Sequence, residues 1–184
     1  MIDELDRQLD HEKVGVFDRI VVACGSGGTV AGIALGLWAC PRFREHGTRL
    51  EAMMVSDNEA YFTEYVVDLY KELGMDEERA REVLRSTTTF TQAKGAGYAI
   101  SREEELDTVL ELASQTSICL DPTYTGKAFH YWLDTVRDRE EYRDTKVLFV
   151  HTGGLGSIYG NEVLEKRLVE GREGRGTWSR LRVA

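Results

Sequence analysis

Two patterns of hydrophobic and polar residues alternate along the chain. Short, continuous apolar runs are typical of strands buried on both faces, whereas apolar residues three or four positions apart, as at Ile2, Leu5 and Leu9, are typical of helices. The predicted strands are residues 17–23, 50–55, the start of 86–100, and 146–151; the predicted helices are residues 2–13, 29–39, 59–73, 76–85, 101–114 and 125–137. This alternation predicts a parallel α/β sheet, with ligands at the carboxyl ends of its strands.

Local signals set several of these boundaries. Pro41 is expected to end the helix over 29–39, and Ser101 with Glu104 forms a capping-box pattern that predicts the start of the next-to-last helix. Lys127 follows Gly126 at the start of the last predicted helix. We expect Lys127 to lie on the surface or to pair with an acid.

The length and composition narrow the class of protein. The 184 residues fit one domain, or one large piece of a bigger protein, and 42% are hydrophobic while 30% are charged. No apolar run approaches the roughly 20 residues that a membrane span needs, and the acidic N-terminus does not resemble a signal peptide. A net charge of −9 argues against a nucleic-acid surface, so small molecules or proteins are the expected partners. The tail over 171–184 is expected to be a flexible extension.

The three cysteines are widely spaced and lack the clustering of a zinc site. Reduced thiols in the cytoplasm or an organelle matrix are the expectation. Cys24 ends an apolar run, where a small buried hydrophobic residue is the simplest interpretation.

The stretch VVACGSGGTVAG, residues 21–32, is the clearest candidate for a binding site. A strand that ends in glycines and opens a helix presents free backbone N–H groups and a positive dipole end, which suit a phosphate. Ser26 and Thr29 could add hydroxyl donors. The loop lacks the lysine of a nucleoside-triphosphate loop, and Val30 stands where the dinucleotide motif needs a small residue. Asp57 follows the second predicted strand, where a dinucleotide-binding fold carries its ribose-binding acid, so a nucleotide site remains an alternative. A turn without any ligand is a further alternative.

Three further glycine-containing strings fall where a parallel sheet gathers its loops. They are AKGAGYA at 93–99, DPTYTGK at 121–127 and HTGG at 151–154. Together with the first loop they predict a pocket. Tyr98 and Tyr124 could face this pocket or pack beneath a loop, and His151 is more typical of a hydrogen-bonded structural residue than of a base.

Taken in order, FDRIVVACGSGGTVAG, KGAGYA, LDPTYTGKA and LFVHTGG resemble the C-terminal half of the D-cysteine desulfhydrase and 1-aminocyclopropane-1-carboxylate deaminase family. These are pyridoxal 5'-phosphate enzymes of fold type II, similar to tryptophan synthase β. The resemblance covers about residues 17–160. It implies a three-layer parallel sheet flanked by helices, the larger cofactor domain of such an enzyme, incomplete at the N-terminus and spanning residues 1–170.

The same resemblance implies roles for individual residues. Cofactor-phosphate binding is implied for the loop that contains Gly25, Ser26, Gly27, Gly28 and Thr29, and cofactor binding also for Gly153. Tyr98 and Tyr124 look like the family's active-site tyrosines. Thr125 takes the position that faces the pyridine nitrogen, where the deaminases typically carry Glu. A neutral hydroxyl makes the ring a weaker electron sink, which favours α,β-elimination from a small amino acid such as D-cysteine, with release of sulfide, ammonia and pyruvate.

The family's Schiff-base lysine has no match among the six lysines of the chain, and Lys94 matches a different lysine of the KGxGY string. The resemblance places that lysine in an N-terminal half that would precede residue 1. We therefore expect this chain alone to be inactive, with the missing half or a partner chain completing a homodimer or larger assembly. Two alternatives stay open: a degenerate, non-catalytic relative that serves as a structural or binding subunit, and an unrelated phosphate- or nucleotide-binding α/β domain.

Overall fold

The structure is a computed structural model that describes residues 1–170, with the side chains of residues 165 and 168–170 left out. The predicted tail over 171–184 lies outside the described residues. The strands are β1 (Arg19–Cys24), β2 (Arg49–Met54), β3 (Thr88–Gln92) and β4 (Val147–Val150). The helices are α1 (Ile2–Glu12), α2 (Gly28–Ala39), α3 (Pro41–His46), α4 (Glu59–Glu72), α5 (Glu77–Thr87), α6 (Glu103–Thr116), α7 (Thr125–Val136) and α8 (Glu162–Glu170).

The four strands form one parallel sheet in the order β3-β2-β1-β4. Continuous apolar runs such as IVVAC, residues 20–24 of β1, form its centre because both faces of a parallel sheet are covered. Alternate residues of β1 pack in the hydrophobic cores on the two faces of the sheet. Ile20 and Val22 pack on the side of α2, α4 and α5, whereas Val21 packs on the side of α7. The predicted three-layer α/β fold is therefore confirmed.

Helix α2 is the close-packed centre of one layer. It is apolar on nearly all sides, and Val30, Ile33 and Leu37 are buried against the sheet and neighbouring helices. At Gly36 a Cβ atom would lie 2.6 Å from the side chain of Ile2, so the missing side chain lets α1 pack closely on α2. This packing fixes the N-terminus of α2 at the carboxyl end of β1.

The predicted end of the helix over 29–39 is confirmed, because α2 ends at Ala39; Pro41 also begins the short helix α3, since a missing N–H costs nothing in a first helical turn. The predicted capping box was wrong. Arg102 rather than Ser101 is the N-cap of α6, and its backbone N–H donates to the Glu105 carboxylate at 2.9 Å. Ser101 instead donates its hydroxyl to the carbonyl of Pro122, at 3.1 Å.

Candidate active site

The carboxyl ends of the parallel strands gather the loops that carry the glycine-rich strings. Between them lies a cavity of about 480 Å³, within the usual range of about 300–1,000 Å³ for small-molecule sites. It is lined by Ala23, Gly25, Ser26, Gly27, Thr29, Val30, Ser56, Tyr98, Tyr124 and Thr152. The structure thus brings together the glycine loop after β1 and both predicted tyrosines.

The glycine loop has the geometry of an anion site. Gly27 adopts φ +90°, a left-handed conformation that favours glycine, and directly precedes α2. Among the described residues no side chain caps this N-terminus, and the first turn of α2 carries no acidic residue. The dipole and N–H groups of α2 therefore face the cavity without a competing carboxylate. Ser26 and Thr29 are exposed there, and a Cβ on Gly28 would meet open space.

The loop is packed against the aromatic wall of the cavity. A Cβ on Gly25 would lie 2.9 Å from the ring of Tyr124, so only glycine leaves room at this point. The hydroxyl of Ser56, at the carboxyl end of β2, donates to the carbonyl of Gly25 at 2.7 Å and holds the loop in place. A phosphate group fits these residues because backbone donors, hydroxyls and a helix N-terminus converge on open space.

Tyr98 and Tyr124 meet across the cavity. Their hydroxyl oxygens share a hydrogen bond of 2.5 Å, and the rings lie edge to face with centroids 6.0 Å apart. This hydrogen bond raises the pKa of Tyr124, with burial and the nearby charge of Asp121 adding to the effect. The phenol of Tyr124 therefore keeps its proton at neutral pH.

Thr125 does not line the cavity. It is fully buried, and its hydroxyl donates to Asp121 Oδ1 at 2.7 Å and accepts the backbone N–H of Asp121 at 3.0 Å. Its assignment to the ring nitrogen stays a prediction. Ser56 was not predicted, and Thr152 was not singled out within the HTGG string, although both line the cavity. Each lies just beyond the carboxyl end of a strand that neighbours β1, and that position is the signal that could have identified them.

His151 and Gly153 form a structural turn after β4. The Cys119 carbonyl can only accept, so His151 Nε2 donates to it at 2.8 Å, and the neutral Nδ1 accepts the backbone N–H of Gly153 at 3.0 Å. Both ring nitrogens are thereby occupied, as expected of a structural histidine. Gly153 has φ +99° and is not among the cavity-lining residues, so its predicted cofactor contact remains a prediction.

Lys127 is not on the surface, contrary to one of the two expectations for it. Its side chain is 0% exposed, and Nζ lies 3.0 Å from the carboxylate of Glu105. The expected pairing with an acid is thus present. None of the ten cavity-lining residues is a lysine.

The cysteines behave as ordinary thiols in the described part of the chain. All three are free, and burial raises the pKa of the Cys24 thiol to about 12. Within residues 1–170, no group of three or more His, Cys, Asp or Glu side chains is placed to hold a metal ion. None of the helices described is long and apolar enough to cross a membrane.

The fold and the cavity together define an α/β domain with a cavity that fits a phosphorylated ligand at the carboxyl edge of a parallel sheet. Comparison with known proteins identifies the ligand class, because the family model described as "Pyridoxal-phosphate dependent enzyme" matches residues 1–153. The chain belongs to this family, and the family's cofactor is pyridoxal phosphate.

Individual relatives agree with this assignment. The bifunctional D-cysteine desulfhydrase/1-aminocyclopropane-1-carboxylate deaminase of Arabidopsis thaliana, described as mitochondrial, is 37% identical over 98% of this chain and 42% of its own length. A D-cysteine desulfhydrase of Serratia proteamaculans is 31% identical over 85% of this chain and 45% of its own. A solved structure of an ACC deaminase homologue is 29% identical with a TM-score of 0.68, and covers 89% of this chain and 48% of its own. This chain spans about half the length of the relatives it matches.

Proposed function

We propose that this chain forms the phosphate-binding half of a pyridoxal-phosphate-dependent lyase that acts on a small amino acid such as D-cysteine. The reaction proposed is α,β-elimination, with sulfide, ammonia and pyruvate as products. The observation that supports it best is the cavity in which the uncapped N-terminus of α2 faces the hydrogen-bonded pair Tyr98 and Tyr124. The compartment proposed is the cytoplasm or an organelle matrix, the latter compatible with the mitochondrial description of the Arabidopsis relative.

Each part of the cavity has a distinct task in this proposal. The backbone N–H groups that open α2 bind the cofactor phosphate, and the hydroxyls of Ser26 and Thr29 add donors. Pyridoxal phosphate supplies the electron sink for bond cleavage next to the amino-acid α-carbon. Tyr124 holds its proton at the phenol oxygen, because the hydrogen bond with Tyr98 raises its pKa. Tyr124 therefore acts as a hydrogen-bond donor toward the reacting groups rather than as a base.

A neutral hydroxyl at the ring nitrogen is the part of the proposal that favours elimination. Thr125 was assigned to this position from the family resemblance, but its hydroxyl is engaged by Asp121. Thr152, unlike Thr125, lines the cavity, at the carboxyl end of β4. Replacing each in turn by valine and comparing the affinity for pyridoxal phosphate distinguishes the two assignments.

The absence of a lysine from the cavity lining bears on what this chain does by itself. Covalent attachment of pyridoxal phosphate needs a lysine amine within reach of its aldehyde. We expect reversible binding of the cofactor to this chain, and no lysine adduct at the cavity after borohydride reduction. A catalytic lysine would then come from a complementary half or a partner chain. The same observation favours a second candidate, a non-catalytic binding subunit that retains the cofactor site.

Cofactor binding is tested by titrating the purified chain with pyridoxal phosphate in equilibrium dialysis. Gly27→Ala is expected to weaken binding about tenfold, since it strains the loop at the phosphate and one hydrogen bond to a charged group is worth about 1.5–3 kcal/mol. Gly74→Ala is the control for the backbone conformation: Gly74 has φ +88°, against +90° at Gly27, but lies after α4 and away from the cavity. A Cβ on Gly27 would in addition lie 2.9 Å from the ring of Tyr65, which adds to the strain on the loop. Equal affinities for the two variants would refute the proposed phosphate site.

The reaction is tested in a hybrid in which this chain replaces the matching segment of the Serratia D-cysteine desulfhydrase. D-Cysteine, L-cysteine and 1-aminocyclopropane-1-carboxylate are compared as substrates, with sulfide and ammonia measured separately. Sulfide release from D-cysteine, reduced by Tyr124→Phe, is the expected result. A hybrid that binds pyridoxal phosphate but releases no sulfide from D-cysteine would refute the substrate and favour the binding subunit.

A further inference from the structure

Lys127 is a fully buried cation that the proposed chemistry does not use. Its Nζ donates to the carbonyl of Lys94 at 2.9 Å, to the carbonyl of Ile100 at 2.7 Å and to Glu105 Oε2 at 3.0 Å. An ammonium group has three donors, so all of them have a partner. A buried cation with every donor engaged is not available for chemistry on a ligand.

The two carbonyls that Lys127 binds are the two ends of one loop. This loop, residues 94–100, carries Tyr98 and lies outside the helices and strands. Its backbone runs directly over the ion pair, since a Cβ on Gly95 would lie 3.2 Å from Lys127 Nζ and would also collide with Glu105. Gly95 has φ +63°, so the loop is held in a conformation that favours glycine.

The other end of the Lys127 side chain belongs to the element that carries the second tyrosine. Lys127 lies in the first turn of α7, and Tyr124 is the residue that directly precedes this helix. A single side chain therefore connects the helix next to Tyr124 with both ends of the loop that carries Tyr98. Glu105 completes the connection, because its carboxylate also accepts the backbone N–H of Arg102 at the start of α6.

We propose that Lys127 is a positioning residue that holds the loop 94–100 against α7, so that the Tyr98 hydroxyl meets the Tyr124 hydroxyl in the cavity. The role of the two tyrosines in a reaction rests on the proposed function, whereas their positioning by Lys127 does not. The side chain acts through the loop and does not itself line the cavity.

The test uses the purified chain without cofactor and follows the ionisation of single tyrosines. Tyrosine labelled with ¹³C at Cζ is titrated by NMR, and the signals of Tyr98 and Tyr124 are assigned with Tyr98→Phe and Tyr124→Phe. The groups that raise the pKa of Tyr124 are the Tyr98 hydroxyl, by hydrogen bonding and by charge, and the Asp121 carboxylate. In Lys127→Met the titration of Tyr124 is expected to move toward lower pH, to the value found in Tyr98→Phe.

The control variant is Arg19→Met. Arg19 pairs with the buried carboxylate of Glu51 at 2.7 Å, at the amino end of β1 and therefore at the opposite edge of the sheet from the tyrosines. Its removal is expected to lower stability while leaving the Tyr124 titration unchanged. A shift of Tyr124 in Arg19→Met as large as that in Lys127→Met would overturn the proposal, because it would indicate general loosening.

A second variant keeps the test valid if Lys127→Met fails to fold because the buried carboxylate of Glu105 is left unpaired. The double substitution Lys127→Met/Glu105→Leu removes both charges and leaves the two loop carbonyls without their donor. It is expected to shift Tyr124 as the single variant does. If Tyr124 titrates as in the unmodified chain in whichever variant folds, Lys127 does not position Tyr98. Because no cofactor is added, this result is independent of the pyridoxal-phosphate titration, whose failure would refute the proposed function alone.

Discussion

Asp121 organises the turn that presents Tyr124, and the cost of perturbing it follows from the structure. The carboxylate is fully buried and receives four donors from the three residues 123–125, besides a longer contact of 3.4 Å from the Ser157 hydroxyl. Oδ2 accepts the backbone N–H groups of Thr123 at 2.9 Å and Tyr124 at 2.8 Å. Oδ1 accepts both the backbone N–H and the hydroxyl of Thr125, each at 2.7 Å.

Asp121→Asn keeps the shape of the side chain but replaces one acceptor oxygen by an NH₂ donor. Two of the four hydrogen bonds are then lost, and the remaining two are no longer assisted by charge. Hydrogen bonds to charged groups contribute about 1.5–3 kcal/mol each. We expect the free energy of unfolding to fall by on the order of 3 kcal/mol, taking the lower figure because Thr123 and Tyr124 are only half-buried. Urea denaturation followed by circular dichroism measures this loss.

Asp76→Asn provides the comparison. Asp76 is the N-cap of α5, where its side chain accepts the backbone N–H of Arg79 at 2.9 Å. Asn is about as good as Asp at an N-cap, so this variant is expected to lose less than about 1 kcal/mol. If Asp121→Asn is no more destabilising than Asp76→Asn, the four hydrogen bonds do not hold the turn and the reasoning fails.

Two further predictions concern the reactivity of the thiols and the pKa of the Asp18 carboxyl group. Burial raises the pKa of Cys24 to about 12, so its thiol is expected to resist alkylation in the native chain at mildly alkaline pH, whereas the exposed Cys119 reacts. Mass spectrometry of the labelled peptides measures this difference. Equal labelling of the two cysteines would contradict the prediction. The pKa of Asp18 is lowered first by the hydrogen bond from the backbone N–H of Lys146. A lowered pKa in the folded state stabilises the protein above the ordinary value of 3.8, and this stabilisation is lost as the pH falls through the lowered value. In Asp18→Asn the free energy of unfolding, measured by urea denaturation, is therefore expected to fall less steeply as the pH is lowered. An unchanged pH dependence would show that Asp18 does not contribute.

The elements that the sequence predicted best are those determined by local pattern. The strand of residues 19–24 carries the continuous apolar run 20–24, and such a run permits few alternatives to a buried parallel strand. The order of the strands was not predicted, because parallel partners such as β1 and β4 are joined only by contacts between residues far apart in the sequence. The turn from β1 through the glycines into α2 was predicted for the same local reason, since a strand, glycines and a helix follow one another directly; its use as an anion site stays a prediction.

The details that failed depend on partners that a local pattern does not contain. The local pattern pointed to Glu104, whereas Glu105 accepts the N-cap N–H and also pairs with Lys127, 22 residues away. The burial of Lys127 could not be predicted for the same reason. Ser56 and Thr152 could have been predicted by the rule that ligand sites lie beyond the carboxyl ends of adjacent strands, but only once the strand order was available.

The uncapped N-terminus of α2 has a practical consequence for handling the protein. Its donors distinguish poorly between tetrahedral oxyanions, so the sulfate of a precipitation step or the phosphate of a buffer would compete for the place proposed for the cofactor phosphate. Affinities measured in such solutions would understate cofactor binding in proportion to the anion concentration. Purification and titration in a buffer without oxyanions are therefore part of a sound measurement on this chain.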